Sequence, residues 1–452
     1  MNATKCLLTV IGALALLLRI SSVHADQPTR DPAVQAEAEI IRAKIKVAYD
    51  DLEKLYKFIH SHPELSYQEE HTAARLAKEM KELGFEVTTK VGGHGIVCVL
   101  KNGSGPTILI RTDMDALPVT EQTGVPYASK VRARNQAGQE VGVMHACGHD
   151  MHMTCWVGTA KVLTSMKNQW SGTLVFLGQP AEEVGAGARM MIEDGLFKRF
   201  PKPDYCLALH CDSRLPGGHV SYTEGLALAN VDTVDVLVKG KGGHGAAPHT
   251  TIDPIVLSAK MILDWQTIVS REINPTDPAV ITIGSIHGGT KHNIIPNEVK
   301  MQITVRSTKD EVRKHILDAI KRIAKAVAEG AGAPEPEVSV NLGEFTPACL
   351  NDRKLVRQTV PVFEELLGKD KVHERPPMMG GEDFARYGRE GIPIFIWWLG
   401  TIDGKRWDES LRPGAKPLPS MHADSYWPSV QPSIENGVLT MSTAVLNLVA
   451  KK

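Results

Sequence analysis

One short segment, Met144-His145-Ala146-Cys147-Gly148-His149-Asp150-Met151-His152, holds three imidazoles, a thiol and a carboxylate. Thiolate and imidazole are preferred ligands of borderline-soft divalent ions such as zinc. Only Gly148 separates Cys147 from His149. An extended backbone would put both on one face, and glycine allows a tight bend toward an ion. A His-rich loop without a metal is the plainer alternative, and the density of donors argues against it. A second segment, Gln179-Pro180-Ala181-Glu182-Glu183-Val184-Gly185, follows the apolar run Thr173–Leu177. Adjacent carboxylates repel unless positive charge is near, and a metal would supply it. One of the two could ligate while the other orients and deprotonates water. A solvated acidic turn is the ordinary reading of the dipeptide alone. Leu209-His210-Cys211 is expected at another strand end, and Met421-His422-Ala423-Asp424 follows a proline-containing loop, Trp407–Ser420. A lone His in either place is more often structural than a ligand. Arg111-Thr112-Asp113-Met114-Asp115 ends a further strand with two carboxylates suited to orienting ligands.

These side chains need a scaffold, and hydrophobic periodicity outlines one. Ala33–His60 and His71–Leu83 carry helical spacing, and Gly84 stops the second run. Strands are expected from Phe85, at Gly95–Leu100, Thr107–Arg111, Thr173–Leu177 and Tyr205–Leu209. Strands alternating with helices indicate an α/β domain with a mainly parallel sheet, which places sites in the loops beyond strand C-termini. The pattern changes near residue 228. Val231–Val238, Ala279–Ile286, Val299–Arg306 and Val338–Leu342 read as strands, with helices at Pro254–Arg271 and Glu311–Glu329. That order, β-α-β-β-α-β, is the split layout of a ferredoxin-like sandwich. Leu355–Leu367, Pro393–Leu399 and Ser433–Ala450 then return to helix, strand and helix. The expected organisation is a catalytic domain over 26–227 and 344–452, interrupted by an inserted domain over 228–343.

The chain has 452 residues, 42% of them hydrophobic, enough for a sizeable core. Lys plus Arg is 51 against 52 for Asp plus Glu, a formal charge of -1 that gives no field for nucleic acid. A small molecule or another protein is the expected partner. Lys5, the apolar run Cys6–Leu18 and Val23-His24-Ala25 read as a secretory signal peptide over 1–25. The mature protein is therefore expected to be exported, periplasmic or secreted. The run is shorter than the roughly 20 residues of a membrane span, so none is expected after cleavage. Of seven cysteines, six remain after residue 25, and their spacing is not a disulfide framework.

Taken together, the motifs resemble the peptidase M20 superfamily of metallo-amidohydrolases, and within it the hippurate hydrolase or indole-acetyl-amino-acid amidohydrolase group. The matching segments run along nearly the whole mature chain. They are Arg111–Pro118, the Cys147 motif, Pro180–Glu183, Leu209-His210, Gly242–His249, Asn293-Ile294-Ile295-Pro296 and Gly381-Glu382-Asp383-Phe384. The resemblance implies a zinc-peptidase-like α/β catalytic domain with a ferredoxin-like α+β lid. It implies two divalent metal ions (Zn, Mn or Co) held by Cys147, His149, Glu183, His210 and His422. It makes Glu182 the general base and Asp113 an acid beside the metals. It gives His244, on the lid, to the substrate carboxylate or the developing oxyanion, and Asn293 to a lid contact with substrate. Gly245, where an Ala is common, and Cys211 after His210 depart from the pattern. The implied activity is hydrolysis of N-acetyl, N-benzoyl or similar N-acyl amino acids. A related metallopeptidase acting on dipeptides or C-terminal residues is the nearest alternative, and the His-Ala-Cys-Gly-His-Asp pattern favours the amidohydrolase. A non-catalytic binding protein for acylated solutes is a third reading, against which Glu182 argues. An exposed strand edge on the lid could serve a homodimer.

Overall fold

The computed structural model describes residues 32–450, so the signal-peptide expectation for 1–25 lies outside the described residues. Helix Pro32–Ser61 opens them, burying Ile41, Ile45, Leu52, Leu55 and Ile59 along one stripe. Helix Glu70–Glu82 follows and ends before Gly84, whose φ of 83° only glycine adopts freely.

The large sheet has eight strands. Four central ones run parallel, in the spatial order Gly172–Gln179, Thr107–Asp113, Tyr205–Pro216, Ile394–Ile402. Gly172–Gln179 and Ile394–Ile402 are near-continuous apolar runs because both faces are covered. Antiparallel strands Glu86–Val91 and Gly95–Asn102 extend one side, and Val220–Tyr222 with Val372–Glu374 the other. Helices Pro32–Ser61, His149–Ser165, Arg353–Leu367 and Val430–Val449 pack over one face and form its core. The short helices Gly187–Glu193 and Ala385–Arg389 cover the other. The mainly parallel α/β sheet expected from the alternation is present.

The second sheet is antiparallel, in the order Ala279–His287, Glu298–Ser307, Asn230–Lys239, Glu337–Val340. Asn230–Lys239 alternates buried and half-buried along its length, the signature of a sheet with one covered face. Helices Pro254–Thr267 and Asp310–Gly330 supply that cover and share a separate core with it. The β-α-β-β-α-β order and the strand arrangement are ferredoxin-like.

Three local expectations are corrected. The strand at Tyr205 runs on to Pro216, because its partner Ile394–Ile402 stays paired with it across a bulge after Gly400, so His210 is mid-strand rather than at a strand end. Trp407–Ser420 is not all loop. Gly404–Ser410 is helical, started by the Asp403 carboxylate, which accepts from the Lys405 and Arg406 N–H groups. Gly148 is not extended. With φ 80° it caps helix His149–Ser165, and a Cβ there would sit 3.0 Å from the Cys211 side chain.

Candidate metal centre and active site

The parallel strands bring the sequence motifs to one end of the sheet. Asp113 terminates Thr107–Asp113, Glu182 and Glu183 lie in the turn after Gly172–Gln179, and His210 projects from the adjoining strand. Cys147 precedes the Gly148 turn and His149 begins the helix after it. His422 lies more than 200 residues later, in a turn held by its own N–H donating to the Ala146 carbonyl at 2.9 Å.

Cys147 sits at the centre. Its sulfur is 3.3 Å from His422 Nε2 and 3.6 Å from His210 Nε2. His149 Nε2 stands 3.7 Å from both Asp113 Oδ2 and Glu183 Oε1, and 3.9 Å from Glu182 Oε2. Glu183 Oε2 is 3.7 Å from His422 Nε2. Two of the ring orientations are fixed from behind. His210 Nδ1–H donates to the Cys211 carbonyl, and His149 Nδ1–H to the Asp115 carbonyl, each at 2.8 Å. Each therefore turns an Nε2 lone pair into the cluster, as a metal-ligating imidazole does.

The donor set fits a pair of ions. Among the described residues five triads have ligand atoms within 4.8 Å of one another, and two of them, Cys147–His149–His210 and Cys147–Glu183–His422, share Cys147. His149 Nε2 and Glu183 Oε1 are buried and have no hydrogen-bond partner. The electrostatics point the same way. Burial pushes the Cys147 thiol up, with Glu183 and Glu182 adding to it. Burial pushes Glu183 up to about 7, against the pull of His149. Burial would lower His149, but Asp113, Asp115 and Glu183 raise it to about 10. Acids driven toward neutrality beside an imidazole driven toward its charged form describe a buried cluster short of positive charge. Divalent cations would supply that charge.

Asp113 is anchored from several sides. Burial raises its carboxyl, but His149, His152 and Arg111 outweigh burial and hold it well below the usual range. His152 Nε2 accepts from the Cys211 N–H at 2.7 Å, which leaves Nδ1–H to donate to Asp113 Oδ1 at 2.7 Å. Arg111, fully buried, donates to Asp113, Glu382, Asp383 and Gln179. Glu382 and Asp383 thereby stand beside Glu182. Burial, then Glu382 and Glu183, push the Glu182 carboxyl well above its ordinary value. His145, the first imidazole of the motif, is buried with neither ring nitrogen partnered, and burial lowers it to about 4. It packs rather than joins the cluster.

A cavity of about 490 Å³ opens over Cys147, Glu182, Glu183, His210 and His422. Trp398, Met378, Leu228 and Ile396 make an apolar wall, and Arg306 and Thr304 of the second sheet face the donors across it. His244 and Asn293 do not line this cavity. They lie side by side on a small antiparallel pairing, Gly243–His244 with Ile294–Ile295, and both are exposed. Sequence reasoning missed Arg306, Arg111 and the supporting part of His152. The signal available for Arg111 was an arginine inside an otherwise apolar strand. Arg306 is one of the half-buried positions of an alternating strand, and nothing in the sequence says what that face meets. All six described cysteines are free.

A family model described as Peptidase family M20/M25/M40 matches residues 109–414. An N-acetylcysteine deacetylase of Bacillus subtilis (strain 168) is 36% identical over 365 residues, covering 80% of this chain and 91% of that protein. A thermostable carboxypeptidase 2 of Saccharolobus solfataricus is also 36% identical, over 372 residues, covering 81% and 90%. Among solved structures, a dinuclear metal-binding M20 peptidase of Bacillus subtilis superposes with a TM-score of 0.70 at 29% identity, covering 89% of this chain and 99% of that one.

Proposed function

The chain belongs to peptidase family M20/M25/M40, and from that premise we propose that it hydrolyses the amide bond of N-acylated amino acids, releasing a carboxylic acid and a free amino acid. The single observation that carries this is Glu182, a carboxylate that lines the cavity directly beside a Cys/His/Glu donor set. Cys147, His149, Glu183, His210 and His422 would hold two divalent ions, with zinc favoured by the thiol and manganese or cobalt as the other candidates. Such ions, when bound, polarise an amide carbonyl and acidify a water molecule.

The chain's own residues do the rest. Glu182 accepts the proton of the attacking water and returns it to the leaving nitrogen as the C–N bond breaks. Asp113, fixed by Arg111 and His152, stands beside His149 Nε2, and the Asp115 carbonyl orients the His149 ring from behind. Arg306 would take the free carboxylate of the amino-acid half, since it is the cationic side chain of the cavity lining. The apolar wall at Trp398 and Met378 suits an apolar side chain or acyl group.

Carboxypeptidase action is chemically close, because the last peptide bond of a peptide is also an amide on the nitrogen of an amino acid with a free carboxylate. The carboxypeptidase relative favours this second reading. His244 and Asn293 would enter the reaction by lid closure, His244 steadying the oxyanion. A homodimer through the lid is part of the proposal. Its support is the open edge of Ala279–His287 and the exposed Ile255, Val256, Leu263, Ile286 and Ile294, all on that domain. Export with cleavage after Ala25 is also part of it, checked by sequencing the N-terminus of secreted protein. No helix of the described residues is long and apolar enough to cross a membrane.

The deciding experiment is a panel of hippurate, N-acetylmethionine and dipeptides, run after chelation and after adding back Zn, Mn or Co. Restored cleavage of the N-acyl amino acids is expected. Cleavage of peptides alone moves the assignment to the carboxypeptidase reading, and no cleavage with any metal points to a binding protein.

A further inference from the structure

The turn that carries Glu182 and Glu183 is conformationally expensive. Ala181 sits at φ 51°, in the left-handed region that a residue with a Cβ seldom occupies. Such a conformation persists only where its surroundings impose it. Gly187 folds back so closely on this turn that a Cβ there would overlap the Pro180 carbonyl. The N–H groups of Ala186 and Gly187 both donate to the Ala181 carbonyl, at 3.1 Å. That fixes the Ala181 carbonyl. The Ala181 N–H, in the preceding peptide group, donates to a single side chain, Glu69 Oε1, at 2.8 Å.

Glu69 comes from a distant element, at the start of helix Glu70–Glu82, and is 0% exposed. The same Oε1 accepts from the Tyr67 N–H at 3.0 Å. Tyr67 is also left-handed, with φ 70°. One carboxylate oxygen therefore ties together two left-handed residues from separate parts of the chain. Helix capping does not explain this carboxylate. Its side chain makes no cap hydrogen bond to its own helix. Glu64 does that work instead, accepting from the His71 N–H at 3.2 Å and from the Thr72 N–H at 2.7 Å. A fully buried carboxylate is costly unless its hydrogen bonds repay the lost hydration. Here Oε2 is buried without a partner, and the bonds made at Oε1 are spent on the turn and on Tyr67.

The next residue but one is held likewise. Asp115 Oδ2 accepts from the Glu183 N–H at 3.0 Å and from Ser66 Oγ–H at 2.6 Å. Ser66, Tyr67 and Glu69 belong to one short stretch, which thus grips the acidic turn at Ala181 directly and at Glu183 through Asp115. We infer that Glu69 is a positioning residue for the hydrolytic site, fixing the aim of Glu182 and Glu183 through the Ala181 peptide. This deepens the amidohydrolase reading and rests on it.

The test compares two substitutions in the full-length, metal-loaded enzyme. Glu69→Leu removes the acceptor, and Glu69→Gln keeps an oxygen at the same reach. Turnover, metal content and amide hydrogen exchange at residues 181–184 are measured for each. Glu69→Leu is expected to lower kcat roughly 10- to 100-fold, with KM within about threefold and both metals retained. Exchange at 181–184 is expected to speed up about tenfold. Glu69→Gln is expected to stay within about threefold of wild type by every readout. Should the leucine variant not fold, Glu69→Asp, whose oxygen is pulled back by one methylene, takes its place. The inference is overturned if the leucine or aspartate variant keeps wild-type kcat and exchange, or if glutamine loses as much as leucine. If wild type cleaves no substrate, the hydrolase reading fails, and the exchange data alone decide whether Glu69 holds the turn.

Discussion

The donor cluster on the α/β domain and the exposed groups of the lid are built to different standards. On the α/β side, His149 and Asp113 are 0% exposed, and His149, His210 and Asp113 are each held by a hydrogen bond from outside the cluster, whereas His422 is exposed. On the lid, His244 is exposed, and its ring accepts a hydrogen bond only from the nearby Ala246 N–H, at 3.0 Å. Asn293 is exposed beside it. The difference separates two kinds of organisation. One half holds its candidate ligands in a hydrogen-bonded frame, and in the proposed mechanism the other brings its groups to the reaction by movement. Preorganised groups supply most of the electrostatic stabilisation, and mobile groups gate it.

The comparison can be broken most severely at its rigid end. Cys147 belongs to both donor triads, so Cys147→Ala is expected to lose both ions and reduce hydrolysis to background. Metal analysis beside the activity assay checks this, and retention of both ions would break the shared-ligand account. At the mobile end, His244→Ala is expected to lower kcat roughly 10²- to 10³-fold, the loss typical of one oxyanion donor. Metal content and melting temperature should change little, because His244 is exposed and its ring holds only the local Ala246 N–H among the described residues. If the metals leave as well, the two halves are not independent. Arg306→Ala tests the lid residue that already faces the cavity. Loss of a charge-assisted hydrogen bond of about 1.5–3 kcal/mol corresponds to roughly 10- to 150-fold in kcat/KM. The loss should vanish for substrates whose carboxylate is blocked as an amide.

The smallest effect concerns the packing under the rigid half. His60, buried, donates toward Asp150 at 2.6 Å and Glu121 at 3.0 Å. Burial would lower it, but those two carboxylates raise it to about 9. A folded-state value above the unfolded 6.5 means that the contribution is complete below pH 6.5 and is lost as pH rises through 9. Stability should therefore fall by about 1 kcal/mol per pH unit across that window. Denaturant titrations of wild type and His60→Gln would show the slope in the first and a flatter profile in the second.

Much of the rigid half was legible in the sequence. The donors cluster in short motifs, and apolar runs such as Thr173–Leu177 announce the strands that carry them. The lid was legible as well, since Asn230–Lys239 alternates cleanly and helix Asp310–Gly330 is strongly amphipathic. What escaped depended on partners distant in the chain. His210 reads as a strand end until Ile394–Ile402 is seen to keep its strand going. The Arg111–Glu382 pair spans 271 residues, and no local pattern links them. Glu69 looks like a helix-start acid until its side chain is found under Ala181. The expected extended geometry at Gly148 failed because the adjacent His149 begins a helix. His244 and Asn293 came from motif resemblance alone, and the fold leaves them on the lid surface.

The most direct test of the account is Glu182→Gln, which keeps the size of the side chain and removes the base. Steady-state hydrolysis of an N-acyl amino acid should be measured beside the metal content of the same preparation. The expected result is two ions per chain and a kcat lowered by roughly 10²- to 10⁴-fold. Turnover near wild type with both ions in place would contradict it, and the proton would then have to be carried by another group.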